Sequence, residues 1–336
     1  MKIRIVLLPL ATYIVTLILS CDTFGRNYLV KDTNDDLRLA LDASVRVVNF
    51  EPADEVGFMN WLGLDIYQVL QTPDRDWGSL TFQGYLLRID NLIMRPGFFE
   101  SENDWEFTYR IFKLELKPFG GIGRPRIQLG HLELPFGIEN QINTNGTLRQ
   151  FTNGRNLGLK ADWGIGIIGE SNSLRYEVTL TRGTGQEFHR RNEPWAISGR
   201  VGSEGGKMIS HGLSAYTSNV NGMDRWRAAY DHTIHLGLYY VMNELSLGEN
   251  ENREVLNAFS EVGWKTQHEA FVLYLQAKYH QVGLGYSKSS DLSGSFGLRY
   301  APDSNWAFSA QYSEVVEQTI ESRRGSNVGI QLRYRY

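Results

Sequence analysis

Basic side chains recur at every second position of several segments, and they are the residues best suited to a chemical role. Ten such positions carry Arg or Lys and four carry Asp or Glu. The basic set is Arg38, Arg46, Arg88, Lys160, Arg175, Arg200, Lys278, Arg299, Arg333 and Arg335, and the acidic set is Asp42, Asp90, Asp162 and Glu177. Around an aqueous passage, an excess of fixed positive charge favours anions. The same residues could instead form mixed-charge ladders that stiffen neighbouring strands, and the sequence leaves both interpretations open.

The sequence offers no arrangement that resembles a catalytic or metal site. Asp231 and His232 are adjacent, and adjacent residues of a strand point to opposite faces, so they form a dyad only within a turn. The single cysteine, Cys21, provides neither a disulfide nor a cysteine metal site. We therefore expect a non-enzymatic protein without a cofactor or metal. The net charge of −4 is too mild to suggest a nucleic-acid partner.

A period of two residues places the charged positions on strands. Between residues 37 and 47, every odd position is apolar, and Arg38, Asp42, Ser44 and Arg46 lie between them. The same alternation returns at 156–167, 174–181, 271–280 and 295–300. Because helices cannot separate such residues onto two faces, the pattern predicts an all-β protein. Aromatic residues make up 12% of the chain and Gly is frequent with 34 residues, as expected for strands that face lipid on one side and water on the other.

The last ten residues, Asn327–Tyr336, show this alternation without exception. Val328, Ile330, Leu332, Tyr334 and Tyr336 form the apolar face, so the chain ends on an aromatic residue. This segment resembles the C-terminal strand of bacterial outer-membrane β-barrels.

The N-terminus predicts export. Lys2 and Arg4 precede the apolar run Ile5–Leu19, so residues 1–20 are predicted to be a signal peptide. Its removal would change the net charge from −4 to −6. Residues 18–20 resemble a lipobox ahead of Cys21, which is then either a lipidated cysteine or an inconsequential thiol behind an ordinary cleavage site. We assign residues 21–36 to a periplasmic segment and residues 37–336 to the barrel.

Connections of alternating length predict the number of strands. Outer-membrane barrels have short periplasmic turns and longer outer loops, and counting back from Tyr336 gives sixteen strands that begin and end in the periplasm. The count includes an outer loop at Gly248–Glu254 and a turn near His232–His235. Arg225–Leu247 lacks a clear turn signal, and Glu269–Tyr286 reads as one long or two short strands, so fourteen or eighteen strands also fit. A change of phase within Trp105–Lys117 predicts a β-bulge.

A soluble all-β protein would show the same alternation, because it also buries one face of each strand. The signal peptide, the regular hairpins and the terminal Tyr336 favour the membrane barrel. Tryptophans near strand ends also favour it, since aromatic residues gather where membrane meets water. These are Trp61, Trp77, Trp105, Trp195 and Trp306.

The longest predicted outer loop, Pro135–Arg155, is polar and lies between the fifth and sixth strands. A sixteen-stranded barrel leaves an aqueous channel, and this loop could fold inward and narrow it. The run IQLGHLELPFGIE (Ile127–Glu139), then GRNLGLKADW (Gly154–Trp163) and LRYEVTLTRGTG, resembles the phosphate-selective porins O and P. That resemblance implies a sixteen-stranded, often trimeric anion channel whose pore lysines hold the anion. Lysine is scarce here, since only Lys160 closely follows the predicted constriction, and Arg grips phosphate differently from Lys.

We therefore expect a transmembrane antiparallel β-barrel in the outer membrane of a Gram-negative cell. Its expected function is passive diffusion of small hydrophilic solutes, with a preference for phosphate-like anions, in contact with membrane lipid and as a homotrimer. The candidate anion-contacting residues are Arg46, Arg88, Arg149, Arg155, Lys160 and Arg175. The alternative is a barrel that encloses a partner protein, such as an electron-transfer cytochrome. This chain contains no Cys-x-x-Cys-His haem motif, so it could only be the enclosing barrel.

Overall fold

The computed structural model describes eleven segments of the chain: residues 36–51, 55–90, 104–120, 123–144, 146–171, 174–188, 193–203, 208–220, 222–283, 289–318 and 325–336. The predicted signal peptide and Cys21 lie outside the described residues, as does the predicted periplasmic segment apart from Asp36. Within the described segments, no helix has the length and apolar character needed to cross a membrane.

Sixteen antiparallel strands form one closed barrel in the described chain, so the predicted fold class and strand number are confirmed. Each strand pairs with its neighbours in sequence, and β1 pairs with β16. The strands are β1 Leu37–Glu51, β2 Glu55–Thr72, β3 Arg75–Asp90, β4 Trp105–Leu116, β5 Arg126–Glu133, β6 Ala161–Ser171, β7 Leu174–Thr181, β8 Trp195–Ser203, β9 Ile209–Val220, β10 Met223–Leu236, β11 Tyr239–Asn250, β12 Arg253–Lys265, β13 Phe271–Val282, β14 Ser289–Tyr300, β15 Trp306–Gln318 and β16 Ser326–Arg335. A 3-10 turn, Ile138–Asn140, and a short helix, α1 Asn153–Leu157, lie between β5 and β6.

The last residue of the chain closes the barrel against the first strand. The N–H of Tyr336 donates to the carbonyl of Leu41 at 2.9 Å, and the N–H of Leu41 donates to the carbonyl of Tyr336 at 3.0 Å. The register continues with Ala43 opposite Tyr334. The C-terminal strand therefore completes the hydrogen bonding of the sheet and leaves no open edge.

Side chains alternate between an apolar exterior and a polar interior. Ile165 and Ile167 are about half exposed on the outside, whereas Asp231 and Glu261 are almost fully buried inside. In β9 every second residue is exposed over most of the strand. This distribution is the reverse of a soluble protein and is the one expected for strands that face lipid.

Two of the predicted connections are wrong. The outer loop predicted at Gly248–Glu254 is a tight hairpin, because β11 and β12 leave only Glu251 and Asn252 between them, at φ of 46° and 66°. Both residues in this left-handed region suit the twist of a two-residue hairpin. The turn predicted near His232–His235 is displaced, since β10 continues to Leu236 and turns at residues 237–238. Residues 271–282 form one strand, which settles the other ambiguous stretch.

The predicted bulge in β4 is confirmed. Gln83 pairs with Ile111 but Gly84 pairs with Tyr109, so Arg110 is the extra residue.

Four of the five tryptophans predicted near strand ends lie at or close to the starts of their strands, namely Trp77, Trp105, Trp195 and Trp306. Trp61, however, is buried in the interior at mid-strand, where its Nε1–H donates to Asp42 at 3.4 Å. A polar partner inside the barrel explains why this tryptophan is not at the rim.

Three inward-facing tyrosines each lie over a glycine of the neighbouring strand. The pairs are Tyr85 with Gly63, Tyr240 with Gly263, and Tyr274 with Gly297. At each glycine an added Cβ would meet the tyrosine ring. The glycines therefore let the rings lie flat along the inner wall.

We predict that Gly263→Ala destabilises the barrel by about 1–3 kcal/mol, because the new methyl group overlaps the Tyr240 ring. Gly294→Ala is the matched control, since its nearest neighbour would be a carbonyl oxygen at 4.0 Å. The temperature at which the folded band is lost on semi-native gels reports stability. Equal temperatures for the two variants would contradict this role of the glycine.

Candidate pore constriction

Residues 134–160, which connect β5 to β6, form the third outer loop, here called L3. Leu134, Phe136, Ile138 and Leu157 in this loop are at most 3% exposed. Such burial is impossible for a loop that extends from the barrel into water. The loop therefore lies inside the barrel, as the sequence predicted for Pro135–Arg155.

Two apolar clusters attach L3 to one side of the inner wall. Leu134, Phe136 and Leu157 pack with Ala196, Tyr216 and Ala229 of β8–β10. Ile138 packs with Tyr240, Met242, Phe259 and Val272 of β11–β13. Burying these side chains stabilises the inward position by about 1.5–3 kcal/mol for each large residue.

A single buried carboxylate joins three separate parts of L3. Glu244 of β11 accepts hydrogen bonds from the Ile138 N–H at 2.8 Å, the Thr152 hydroxyl at 2.6 Å and the Asn156 amide at 3.0 Å. All three donors are neutral. Each of these donors would otherwise be buried without an acceptor, so the three hydrogen bonds together hold L3 to β11.

The tip of L3 reaches the opposite side of the wall. The Thr147 carbonyl accepts from Arg46 of β1 at 3.0 Å, and the Gly146 carbonyl accepts from Gln331 of β16 at 3.0 Å. Arg149 donates to the Tyr240 hydroxyl at 2.9 Å and lies 3.6 Å from Glu261. The loop thus crosses the lumen from β8–β11 to β16 and β1, and it constricts the passage.

The structure brings some of the six candidate basic residues together and separates others. Arg46 and Arg149 both lie at the L3 tip. Arg46 donates to the Thr147 carbonyl, and Arg149, two residues after Thr147, donates to the Tyr240 hydroxyl. Arg155 and Lys160 lie in the second half of L3 and pair with Asp291 and Glu139 at 2.6 and 2.7 Å.

The remaining two candidates lie apart from the tip. Arg175 lies on β7, pairs with Glu177 at 3.3 Å and so faces the Asn140 side of L3. Arg88 was predicted to line the pore, but it faces outward together with Asp90, because the alternate residues Leu87 and Ile89 are the buried ones. Arg88 pairs with Asp90 at 3.1 Å at the outer end of β3.

The sequence undercounted the acidic residues of the interior. Besides Asp291, which pairs with Arg155, further carboxylates of the described strands point inward, namely Asp65, Glu115, Asp231, Glu244 and Glu261. Four of them form ion pairs: Arg335–Asp65 at 2.6 Å, Arg126–Glu115 at 3.0 Å, Arg200–Asp231 at 2.7 Å and Arg149–Glu261 at 3.6 Å. Asp162, counted as a lumen charge, instead accepts from the N–H groups of residues 183–185 and fastens that loop. The excess of positive charge is therefore smaller than the sequence suggested.

Three basic residues on the wall near L3 form no ion pair among the described residues, although the carboxylates of Asp291 and Glu269 lie in the neighbourhood of Lys278 and Arg299. In the part of the chain that the structure describes, Arg46, Lys278 and Arg299 have no carboxylate within 4.0 Å. Arg46 donates to carbonyl groups, Lys278 donates to the Gln150 side chain, and Arg299 donates to the carbonyl of Glu269 at 3.5 Å. They lie on β1, β13 and β14, so they share one side of the wall.

The described residues contain no group of three or more His, Cys, Asp or Glu placed to hold a metal ion. Asp231 and His232 point to opposite faces, as predicted for a strand. Asp231 pairs with Arg200 inside, and the His232 ring contacts the Asn243 amide at 2.9 Å.

The sequence missed Glu244 and Glu261 because L3 covers them. The inward face of β11 carries Tyr240, Met242 and Glu244, so both faces of this strand look apolar in sequence. Glu261 lies in the same covered region, next to the buried Phe259. The sequence signal that could have located them is an acidic residue on the same alternating positions as apolar residues, as Glu244 is with Tyr240 and Met242.

A closed sixteen-stranded barrel with an inward third loop and an apolar exterior is the architecture of outer-membrane porins, which cross the outer membrane many times. No protein-family model matches the sequence, and no curated protein matches it. Solved structures do match. Salmonella typhi OmpF in complex with daunomycin has a TM-score of 0.67 at 11% identity, over 91% of this chain and 99% of that one.

Two further solved structures show the same fold. An anion-selective porin from Comamonas acidovorans has a TM-score of 0.61 at 12% identity, over 89% of this chain and 99% of that one. The trimer form of OmpT, an outer-membrane protein of Vibrio cholerae, has a TM-score of 0.59 at 13% identity, over the same shares. The porin-type fold is therefore established, whereas the resemblance to phosphate-selective porins O and P remains a prediction.

We predict that Glu244→Gln loosens L3 and raises the single-channel conductance. Glutamine keeps one acceptor oxygen, which can still serve Thr152 and Asn156, but its amide nitrogen cannot accept from the Ile138 N–H. A buried donor left without an acceptor costs about 1–3 kcal/mol. Glu244→Asp keeps the charge but shortens the side chain, so a rise in both variants assigns the effect to geometry. Glu249→Gln, at the exposed outer end of β11, is the control. Unchanged conductance in both Glu244 variants would contradict this role.

Proposed function

We propose that the protein is a passive channel for small hydrophilic solutes that prefers anions. The observation that carries this proposal is the placement of Arg46, Lys278 and Arg299 around the L3 tip without a carboxylate partner among the described residues. A fixed charge at a narrow point acts on every ion that passes. Arg149 adds a fourth positive charge there, although Glu261 partly offsets it.

The proposal needs no chemical step. The wall satisfies its own backbone groups, and the charges at the constriction filter solutes by size and sign. Among anions, phosphate is one candidate, because guanidinium groups bind phosphate oxygens in pairs. The porin neighbours support the channel, and one of them is described as anion-selective.

Assembly as a homotrimer is part of the proposal, supported by the trimer form of one structural neighbour. The alternative function, a barrel that encloses a partner protein, has less support. L3 itself occupies the middle of the lumen and contacts both sides of the wall, which leaves less room for a partner.

Ion selectivity in a planar bilayer tests the anion preference. In a KCl gradient, the reversal potential of the natural chain is expected to have the sign of chloride preference. A unit charge about 6 Å from an ion contributes roughly 0.7 kcal/mol in water. Because the same charge attracts chloride and repels potassium, Arg299→Gln should lower the chloride-to-potassium permeability ratio roughly tenfold. Lys117→Gln, in an exposed pair with Asp76 at another periplasmic turn, is the control. A natural chain that prefers potassium would refute the anion preference but not the channel.

A further inference from the structure

A second polar region lies across the barrel from the L3 tip. A cavity of about 210 Å³ opens between Asn140 of L3 and the inner wall of β4–β7. This volume is enough for several waters or for one small organic solute. Its charged lining consists of Lys113, Arg126, Arg175, Glu115, Glu133 and Glu177.

The lining side chains are held in place by one another. Glu115 accepts from Arg126 at 3.0 Å and from Gln128 at 3.3 Å. Glu177 accepts from Arg175 at 3.3 Å and from the Asn140 amide of L3 at 3.3 Å. Glu115 and Glu177 are less than 10% exposed. A ligand would therefore meet preorganised groups rather than mobile surface side chains.

One lining residue retains an unused donor. The Nε–H of Arg175 is buried and has no hydrogen-bond partner in the described structure. Buried donors without an acceptor are rare, because each costs about 1–3 kcal/mol. This nitrogen is turned into the wall, whereas the Arg175 side chain as a whole is about a third exposed, so its other nitrogens are the ones that a solute can meet.

The charges of the cavity balance, with three basic and three acidic groups. A simple anion near Arg175 also meets Glu177, and a simple cation near Glu115 also meets Arg126. A molecule that carries both charges avoids this conflict, because each end lies beside the opposite sign. Complementary charge pairs favour such a ligand over isomers without separated charges.

We propose that this cavity is a binding subsite for small zwitterions that carry an ammonium and a carboxylate, as free amino acids do. The carboxylate binds at Arg175 and Arg126, and the ammonium donates to Glu115 and Glu177. This assignment rests on the proposed channel function and adds a solute class to it. The subsite differs from the region of the L3 tip, where the three residues that form no ion pair among the described residues, Arg46, Lys278 and Arg299, are all basic.

L-Alanine and lactamide provide the test, because they are isomers that differ in charge separation. The full chain is placed in a planar bilayer, and each compound is titrated against the KCl current. Alanine is expected to reduce the current saturably, and lactamide is expected to have no saturable effect. Equal behaviour of the two isomers in a conducting channel would overturn the subsite and leave the channel intact. A chain that does not conduct at all would refute the channel itself.

The double variant Arg175→Gln with Glu177→Gln removes one charge of each sign and keeps the net charge of the lumen. Since bonds to charged groups are each worth about tenfold or more in binding and the double variant removes two of them, alanine should bind roughly a hundredfold more weakly. The matched control is Lys265→Gln with Glu269→Gln, which makes the same neutral change at a periplasmic turn. Alanine block that is unchanged in the cavity variant would overturn the assignment. The comparison of isomers in the natural chain needs no variant and holds even if the double variant misfolds.

Discussion

In the hydrocarbon of a membrane, every backbone N–H and C=O must find its partner within the protein, and this constraint shapes the whole molecule. A sheet meets it only when closed, because any edge strand leaves a row of unpaired groups. Here closure depends on the two ends of the chain, since β1 pairs with β16 and Tyr336 exchanges two hydrogen bonds with Leu41. The terminal aromatic residue is thus part of the wall. Once the wall is closed, its outward side chains are free to be apolar and its inward ones to be polar.

The constriction must also satisfy buried backbone groups within the protein. L3 carries irregular backbone into the barrel, where some of its polar groups lose contact with water. Side chains of the wall replace that water: Ser214 accepts from Gly137, Gln331 donates to Gly146, and Glu244 accepts from Ile138. Apolar contacts of Phe136 and Ile138 hold the loop against β8–β13. An inward loop therefore requires a wall that is locally both apolar and hydrogen-bonding.

That requirement explains what the sequence could and could not predict. Alternation in β1, β7 and β16 predicted strands and their inward faces correctly, because those faces are largely polar; Val48 of β1 is a buried apolar exception. The turn near His232–His235 was misplaced because β10 and β11 lie under L3, where inward residues such as Tyr240 and Met242 are apolar and hide the alternation. Glu251 and Asn252 make a two-residue hairpin without the usual glycine, so the signal for a tight turn was absent. Trp61 was placed at the rim because its partner Asp42 lies on another strand.

Alternation alone cannot show which charged residues of the lumen form ion pairs. Alternation identifies which residues point inward, but pairing depends on neighbours that are distant in sequence, such as Asp42 and Arg333 at 2.8 Å. Around β4–β10, the basic residues Arg126, Arg175 and Arg200 all have carboxylate partners, which matches the mixed-charge ladder. Around β13–β1, Lys278 and Arg299 have none among the described residues, but Arg333 and Arg155 pair there with Asp42 and Asp291. Mixed-charge pairs therefore occur on both sides of L3, and Lys278 and Arg299 are set apart from them only by their neighbours in space.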